Sequence, residues 1–137
     1  MSIKRESIII WCKTGLGANK LRTLHWSKRY KLDKEIKATV GHQVASEAAF
    51  YPCVRIDQKH PRKRSIVVTR YFGGRKARQM DADNLSTAAK PAIDALKMNK
   101  GSGVIVDDSP DWVEVRYKQE KTALPSWQGL LKIEVYL

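Results

Sequence analysis

The stretch "SIVVTRYF", residues 65–72, decides how the rest of the chain is read. It carries a β-branched run at Ile66, Val67 and Val68 and aromatic residues at Tyr71 and Phe72, which suits a pleated, packed surface. A strand is therefore expected in the middle of the chain. Just before it, "CVRI" (53–56) reads as a short strand and "DQKHPRKRS" (57–65) as a turn around Pro61. Together these segments predict a β-hairpin. Gly73 and Gly74 follow as a link into "RKARQM" (75–80).

Further toward the N-terminus, Ser27 is expected to cap a helix running to about Ala49. Leu32, Ile36, Val40, Val44 and Ala48 recur every four residues and give it one apolar stripe. Lys28, Lys31, Lys34, Lys37 and Gln43 lie largely off that stripe, and Gly41 is a weak spot inside it. Residues Ile3 to Trp11 look like a first buried strand. The loop "KTGLGANKLRTLHWSKR" (13–29) only superficially resembles a phosphate loop, because neither Gly-Lys-Ser/Thr nor G-x-G-x-x-G is completed.

Toward the C-terminus, "NLSTAAKPAIDALKM" (84–98) reads as a second helix, with Asp83 or Asn84 as its N-cap. Its apolar face is built of small residues, and Pro91 either kinks it or opens a helix near Lys90. "VIV" (104–106) reads as a short buried strand ending in Asp107 and Asp108. "DWVEVRYK" (111–118) and "LLKIEVYL" (130–137) alternate apolar and polar positions and suggest an antiparallel hairpin. The expected fold is a single α/β (α+β) domain over residues 1–137, with one mixed sheet and two main helices.

The chain has 137 residues, a net charge of +12 and an isoelectric point near 9.9. Such an excess speaks to partners, and an acidic polymer, DNA or RNA, comes first. No apolar run approaches the roughly 20 residues of a membrane span, and the opening "MSIKRESIIIWC" is too brief for a signal peptide. Cys12 and Cys53 form no C-x-x-C, so two free thiols in a reducing cytoplasm are expected. His25, His42 and His60 show no zinc spacing, and no nucleotide cofactor is expected. The positive residues that mark a phosphate-binding surface are Lys63, Arg64, Arg70, Arg75, Lys76 and Arg78, with Lys20, Arg22, Lys28 and Arg29. Trp26, Tyr30, Tyr71 and Phe72 lie near them, either to stack on unpaired bases or to pack in the core.

An acidic motif interrupts this basic region. In "DADNL" (81–85), Asp81 and Asp83 are two apart and, on an extended entry, point to one side. Two close carboxylates call for a cation, and hard oxygen ligands suit Mg²⁺ or Mn²⁺. Alternatively, Asp83 caps the helix and Asp107–Asp108 marks a turn. One of that second pair, Asp108 or Asp107, can join the first. Lys90 lies seven residues past Asp83, about two helical turns, which returns it to the same face. There a lysine either stabilises charge on a phosphate or is simply a surface residue.

"DADNLSTAAKPAIDAL" followed by "GVIVDDSPDWVEVRYKQEK" resembles the RusA family of Holliday-junction resolvases, especially its phage-type members. The family pattern is Asp-x-Asp-Asn-Leu, a Lys, Asp-x-Leu, then a short apolar strand ending in Asp-Asp. The early "ANKLRTLHWSKR" (18–29) is also similar to the loop before the first helix in these proteins. The clear match covers about Met80 to Lys121. The resemblance implies a homodimeric, Mg²⁺-dependent endonuclease that nicks four-way DNA junctions in pairs, in the cytoplasm of a bacterial or phage-infected cell. It implies that Asp81, Asp83 and Asp108 are the catalytic, metal-holding acids, with Asp107 as a further candidate, and that Lys90 is the catalytic lysine. Lys90 matches when aligned from Asp94-Ala95-Leu96. In shorter members the lysine sits one turn after the second Asp, where this chain has Thr87. Two other readings stay open: a nuclease acting on flaps or forks, and a basic binding module without catalysis.

Overall fold

The computed structural model describes residues 6–17, 25–74 and 78–137. Strand β1 is Ser7–Lys13, helix α1 is Trp26–Phe50, strand β2 is Arg64–Phe72, helix α2 is Ala82–Asp94, strand β3 is Val113–Lys121 and strand β4 is Leu130–Tyr136. The strands form one mixed sheet in the order β1-β4-β2-β3. β4 runs antiparallel to both β1 and β2, whereas β3 runs parallel to β2. The fold is thus α+β, with one four-stranded sheet and two helices.

Alternation places the core. Ile8, Ile10 and Cys12 of β1, Ile66 and Val68 of β2, and Leu131, Ile133 and Val135 of β4 share the buried face. Ile36, Val40 and Val44 of α1, and Ala89, Ala92 and Ile93 of α2, pack into the same cluster. The stripe expected for the first helix is therefore its buried face. His25 caps α1 through its ring Nδ1, which accepts from the Ser27 N–H at 3.2 Å, so the helix starts one residue before Ser27. Gly41 interrupts nothing. A Cβ added there meets no atom within 4 Å. A Gly41→Ala change is expected to raise stability by about 0.5–1 kcal/mol, read as a higher urea midpoint with an unchanged slope.

Three expected pairings are corrected. "CVRI" is not a strand: Pro52–Val54 forms a 3₁₀ turn with Pro52 at its start, so no hairpin precedes β2. "VIV" is not a strand either, and Ile105 makes only an isolated parallel bridge to Lys97. The last two strands do not form a hairpin, because β2 lies between them. β2 is buried at most positions and needs partners on both sides. Helix α2 carries the chain back to a parallel partner, β3. The eight residues 122–129 then lead across to β4. β3 is left at the edge, where Glu114, Arg116, Lys118 and Glu120 keep it charged. The opposite edge, β1, is closed differently. The Gln43 side chain accepts from the Trp11 N–H at 2.8 Å and donates to the Trp11 carbonyl.

Arg64 opens β2 and is only 4% exposed. Its guanidinium donates to the carbonyls of Val54, Val104 (2.9 Å) and Cys53 (2.7 Å). It therefore ties the 3₁₀ turn and the 104–105 segment to the sheet. Burial, with the nearby charge of Arg62, pulls its pKa down to about 10, still above neutral pH. This corrects the expectation that Arg64 contacts phosphate: its fork is spent inside the protein. Tyr71 and Phe72 are also buried, so they pack and do not stack on bases. Tyr71 lies against Trp11 and Trp127. Trp26 and Tyr30 behave differently, at 73% and 64% exposed near the start of α1.

Candidate functional site

Helix α2 organises the acidic motif. Asp81 is its N-cap, correcting the assignment of that role to Asp83 or Asn84. Its Oδ1 accepts from the Asn84 N–H at 2.8 Å and its Oδ2 from Asn84 Nδ2 at 3.0 Å. One acidic side chain thus satisfies an unpaired amide of the first turn and sits at the positive end of the helix dipole. Asparagine caps nearly as well as aspartate. Asp81→Ala is therefore expected to cost about 1 kcal/mol of stability and Asp81→Asn only a fraction of that, a contrast that urea denaturation resolves.

Asp83, in the first turn of α2, has an exposed side chain with no bonding partner among the described residues. Its backbone carbonyl accepts from the hydroxyls of Ser86 and Thr87. Asp83, Thr87, Lys90 and Asp94 follow one another at helical spacing on one face. The helix runs unbroken through Pro91 to Asp94. Pro91 lies inside the helix, near its end, and removes one i→i−4 bond, to the Thr87 carbonyl, without ending it.

The two halves of the motif meet at Lys90. Its Nζ donates to Asp108 Oδ2 at 2.7 Å and to Asp94 Oδ1 at 3.1 Å. Lys97 joins them, 3.3 Å from Asp94, 3.8 Å from Asp108 and 4.0 Å from Asp107. Two ammonium groups and three carboxylates form a partly exposed network. The hydrogen bond from Lys90 holds the Asp108 carboxyl below the ordinary carboxylate range, and the same bond raises Lys90. The signs agree. The carboxylate's contribution is present above its unperturbed value of 3.8 and fades as pH falls through the lowered one. The lysine's is present below 10.5 and fades as pH rises past the raised one. The pair is therefore intact across the neutral range. With Lys90 57% exposed, it adds little to fold stability.

Lys97 and Asp94 are the members that motif spacing alone did not mark as central. A signal existed: Lys97 follows Lys90 by seven residues, and Asp94 lies four after Lys90.

The carboxylates do not gather as a cation site. Asp81 turns both oxygens to Asn84, and Asp108 is neutralised by lysines. Among the described residues no group of three or more His, Cys, Asp and Glu side chains is placed to hold a metal ion. The expected set of Asp81, Asp83 and Asp108, with Asp107, is thus not brought together in this arrangement.

Two grooves flank Lys90. One is lined by Thr87, Asp108, Val115 and Tyr117. The other lies between α2 and α1 and brings Arg29 and Lys37 to the Lys90 side, with Asp33 and Asp94. Lys28 and Arg29 are exposed on the first turn of α1, and Lys63 and Arg78 are exposed in loops. Lys20, Arg22, Arg75 and Lys76 lie outside the described residues. A larger cleft of about 660 Å³ opens beside Asp81, between the loop at Gly15–Gly17 and the end of β2. Gly15 is needed there, since a Cβ would run into the Ala88 carbonyl of α2. The Gly15 N–H donates to that same carbonyl at 3.1 Å, docking the loop on the helix.

No helix of the described residues is long and apolar enough to cross a membrane. Comparison with protein-family models, with curated proteins and with solved structures returns no match.

Proposed function

We propose that the chain is a structure-specific endonuclease that hydrolyses phosphodiester bonds in branched DNA, with the four-way junction as its preferred substrate. One observation carries most of the support: Lys90 and Asp108, eighteen residues apart, meet at 2.7 Å. The two separated halves of the sequence motif thereby become one partly exposed cluster on a strongly basic protein.

The residues divide the work. Lys28, Arg29, Lys63 and Arg78 neutralise backbone phosphates and supply binding that is largely independent of sequence. Lys90 offers its ammonium to a phosphate oxygen and meets charge developing in the transition state. Asp83, exposed and without a bonding partner among the described residues, takes the proton of the attacking water. Trp26 and Tyr30 provide faces for unpaired bases at the branch. Mg²⁺ dependence, and with it a catalytic role for the Asp81 charge, rests on the resemblance alone, because the described carboxylates do not gather into a cation site. A homodimer belongs to the same proposal, since paired nicks need two sites related by symmetry.

A second reading has a specific observation in its favour. Asp81 is spent on capping and Asp108 on lysines, which is what a binding module with structural acids would show. Labelled four-way junction, flap, fork and linear duplex, each incubated with protein and Mg²⁺, separate the readings. Paired symmetric nicks confined to the junction support the proposal. Cuts chiefly in the flap or fork change the substrate. Tight binding without any cut, in Mn²⁺ as well, favours the binding module.

A further inference from the structure

The cleft beside Asp81 holds a cation that the roles above leave unused. Arg70 lies near the end of β2, opposite Gln119 of β3 and Leu131 of β4. Its Nη1 donates to the Arg78 carbonyl at 3.2 Å and to Gln119 Oε1 at 3.0 Å. Its guanidinium carbon lies 5.3 Å from the Phe72 ring centre. The head group is therefore fixed, and every acceptor holding it is neutral. Burial lowers its pKa, and no carboxylate offsets that effect. Nη2 has no partner among the described residues, and Arg70 lines the cleft. Its Nε is likewise buried without a partner among the described residues, and a fixed, half-buried guanidinium without a carboxylate calls for an anion, whose oxygen the remaining Nη2 can meet.

The walls fit the rest of a nucleotide. Gln119 clamps the segment before α2 from both sides, accepting from the Met80 N–H at 2.9 Å and donating to the Met80 carbonyl at 2.8 Å. Leu16 and Met80 give apolar surface, and Arg78 gives a second cation. Two arginines face one aspartate, Asp81, whose oxygens are already bonded to Asn84. The volume of about 660 Å³ lies within the range of small-ligand sites.

We propose that this cleft seats one unpaired nucleotide of a DNA strand, its phosphate on Arg70 and its base against Leu16 and Met80. The inference rests on the nuclease reading, in that the seated strand is the substrate strand led toward Asp81. It is tested apart from cleavage. Fluorescence anisotropy of a short labelled oligothymidylate, in EDTA, reads binding alone. Arg70→Gln is expected to weaken binding about tenfold to a hundredfold, the size of a lost charge-assisted contact. Arg70→Lys, which keeps the charge without the fixed planar head group, falls between. Arg62→Gln, at an exposed loop position outside the cleft, is the control for general charge loss. Because Arg70 also braces Arg78 and Gln119, Gln128→Glu is a second variant. It puts a negative charge on the cleft wall without touching that brace, and a comparable loss is expected. Equal, small effects of Arg70→Gln and Arg62→Gln, or no effect of Gln128→Glu, would overturn the proposal. Equal affinity for an abasic strand would overturn its base-seating part. Absence of junction cleavage beside intact Arg70-dependent binding would sink the nuclease reading and leave the cleft standing.

Discussion

A Lys90→Met protein is expected to fold like the wild type and to cut a four-way junction roughly 10²–10³-fold more slowly, the usual cost of removing one pre-placed charge from a transition state. The fold is spared because the Lys90 side chain is largely exposed and Lys97 stays near Asp94 and Asp108. Methionine keeps most of the aliphatic stem over the two grooves. Junction affinity is expected to change far less than rate, since one phosphate contact among many is lost. Single-turnover cleavage beside a gel-shift titration separates the two quantities. A Lys90→Met enzyme that cuts at the wild-type rate would remove Lys90 from the mechanism and reduce it to a structural ion pair.

Arg64→Met is expected to have the largest effect on stability of any single substitution of a basic residue, about 3–5 kcal/mol. Three carbonyls, from Cys53, Val54 and Val104, lose their donor at once. Leaving a buried polar group unpaired costs about 1–3 kcal/mol. A domain of this size is stable by only about 5–15 kcal/mol, so the variant should be folded but fragile. Arg64→Lys should be intermediate or nearly as damaging, because a point cation cannot span three acceptors. Equilibrium urea unfolding checks both. A variant that instead loses DNA affinity while its midpoint is unchanged would restore Arg64 to the binding surface.

These two residues also mark where the sequence was legible. Arg64 stands in a run with Arg62 and Lys63, and composition alone cannot say which of the three turns inward. Register decides it: position 64 shares the buried face with Ile66 and Val68. Alternation read in 130–137 located the core face of β4, and the four-residue spacing located the buried face of α1, whereas β1 and β2 were legible only as apolar runs, and Ile9 of the first run is 44% exposed. Strand partners were not legible, because pairing depends on where connections lead. β3 and β4 follow one another with alternating patterns, yet the stronger need of β2 for two neighbours separates them. At the site, the motif named Lys90 and Asp108 and the structure brings them together. The expected meeting of Asp81 with Asp108 failed for a local reason. A carboxylate preceding a helix finds two donors on Asn84 close at hand, and these satisfy it without a cation.

That local satisfaction makes Asp81→Asn a mild probe, since asparagine retains the cap on the Asn84 N–H while removing the charge and the acceptor for Asn84 Nδ2. The most direct measurement is cleavage of a labelled four-way junction in Mg²⁺ by the wild type and by Asp81→Asn, with urea midpoints and junction affinity recorded for both. Paired symmetric nicks by the wild type, and binding without cleavage by a folded Asp81→Asn of nearly the same stability, are the predicted result. Equal cutting by both proteins, or cutting by neither in Mg²⁺ and Mn²⁺, would contradict it and leave "DADNL" as a helix start.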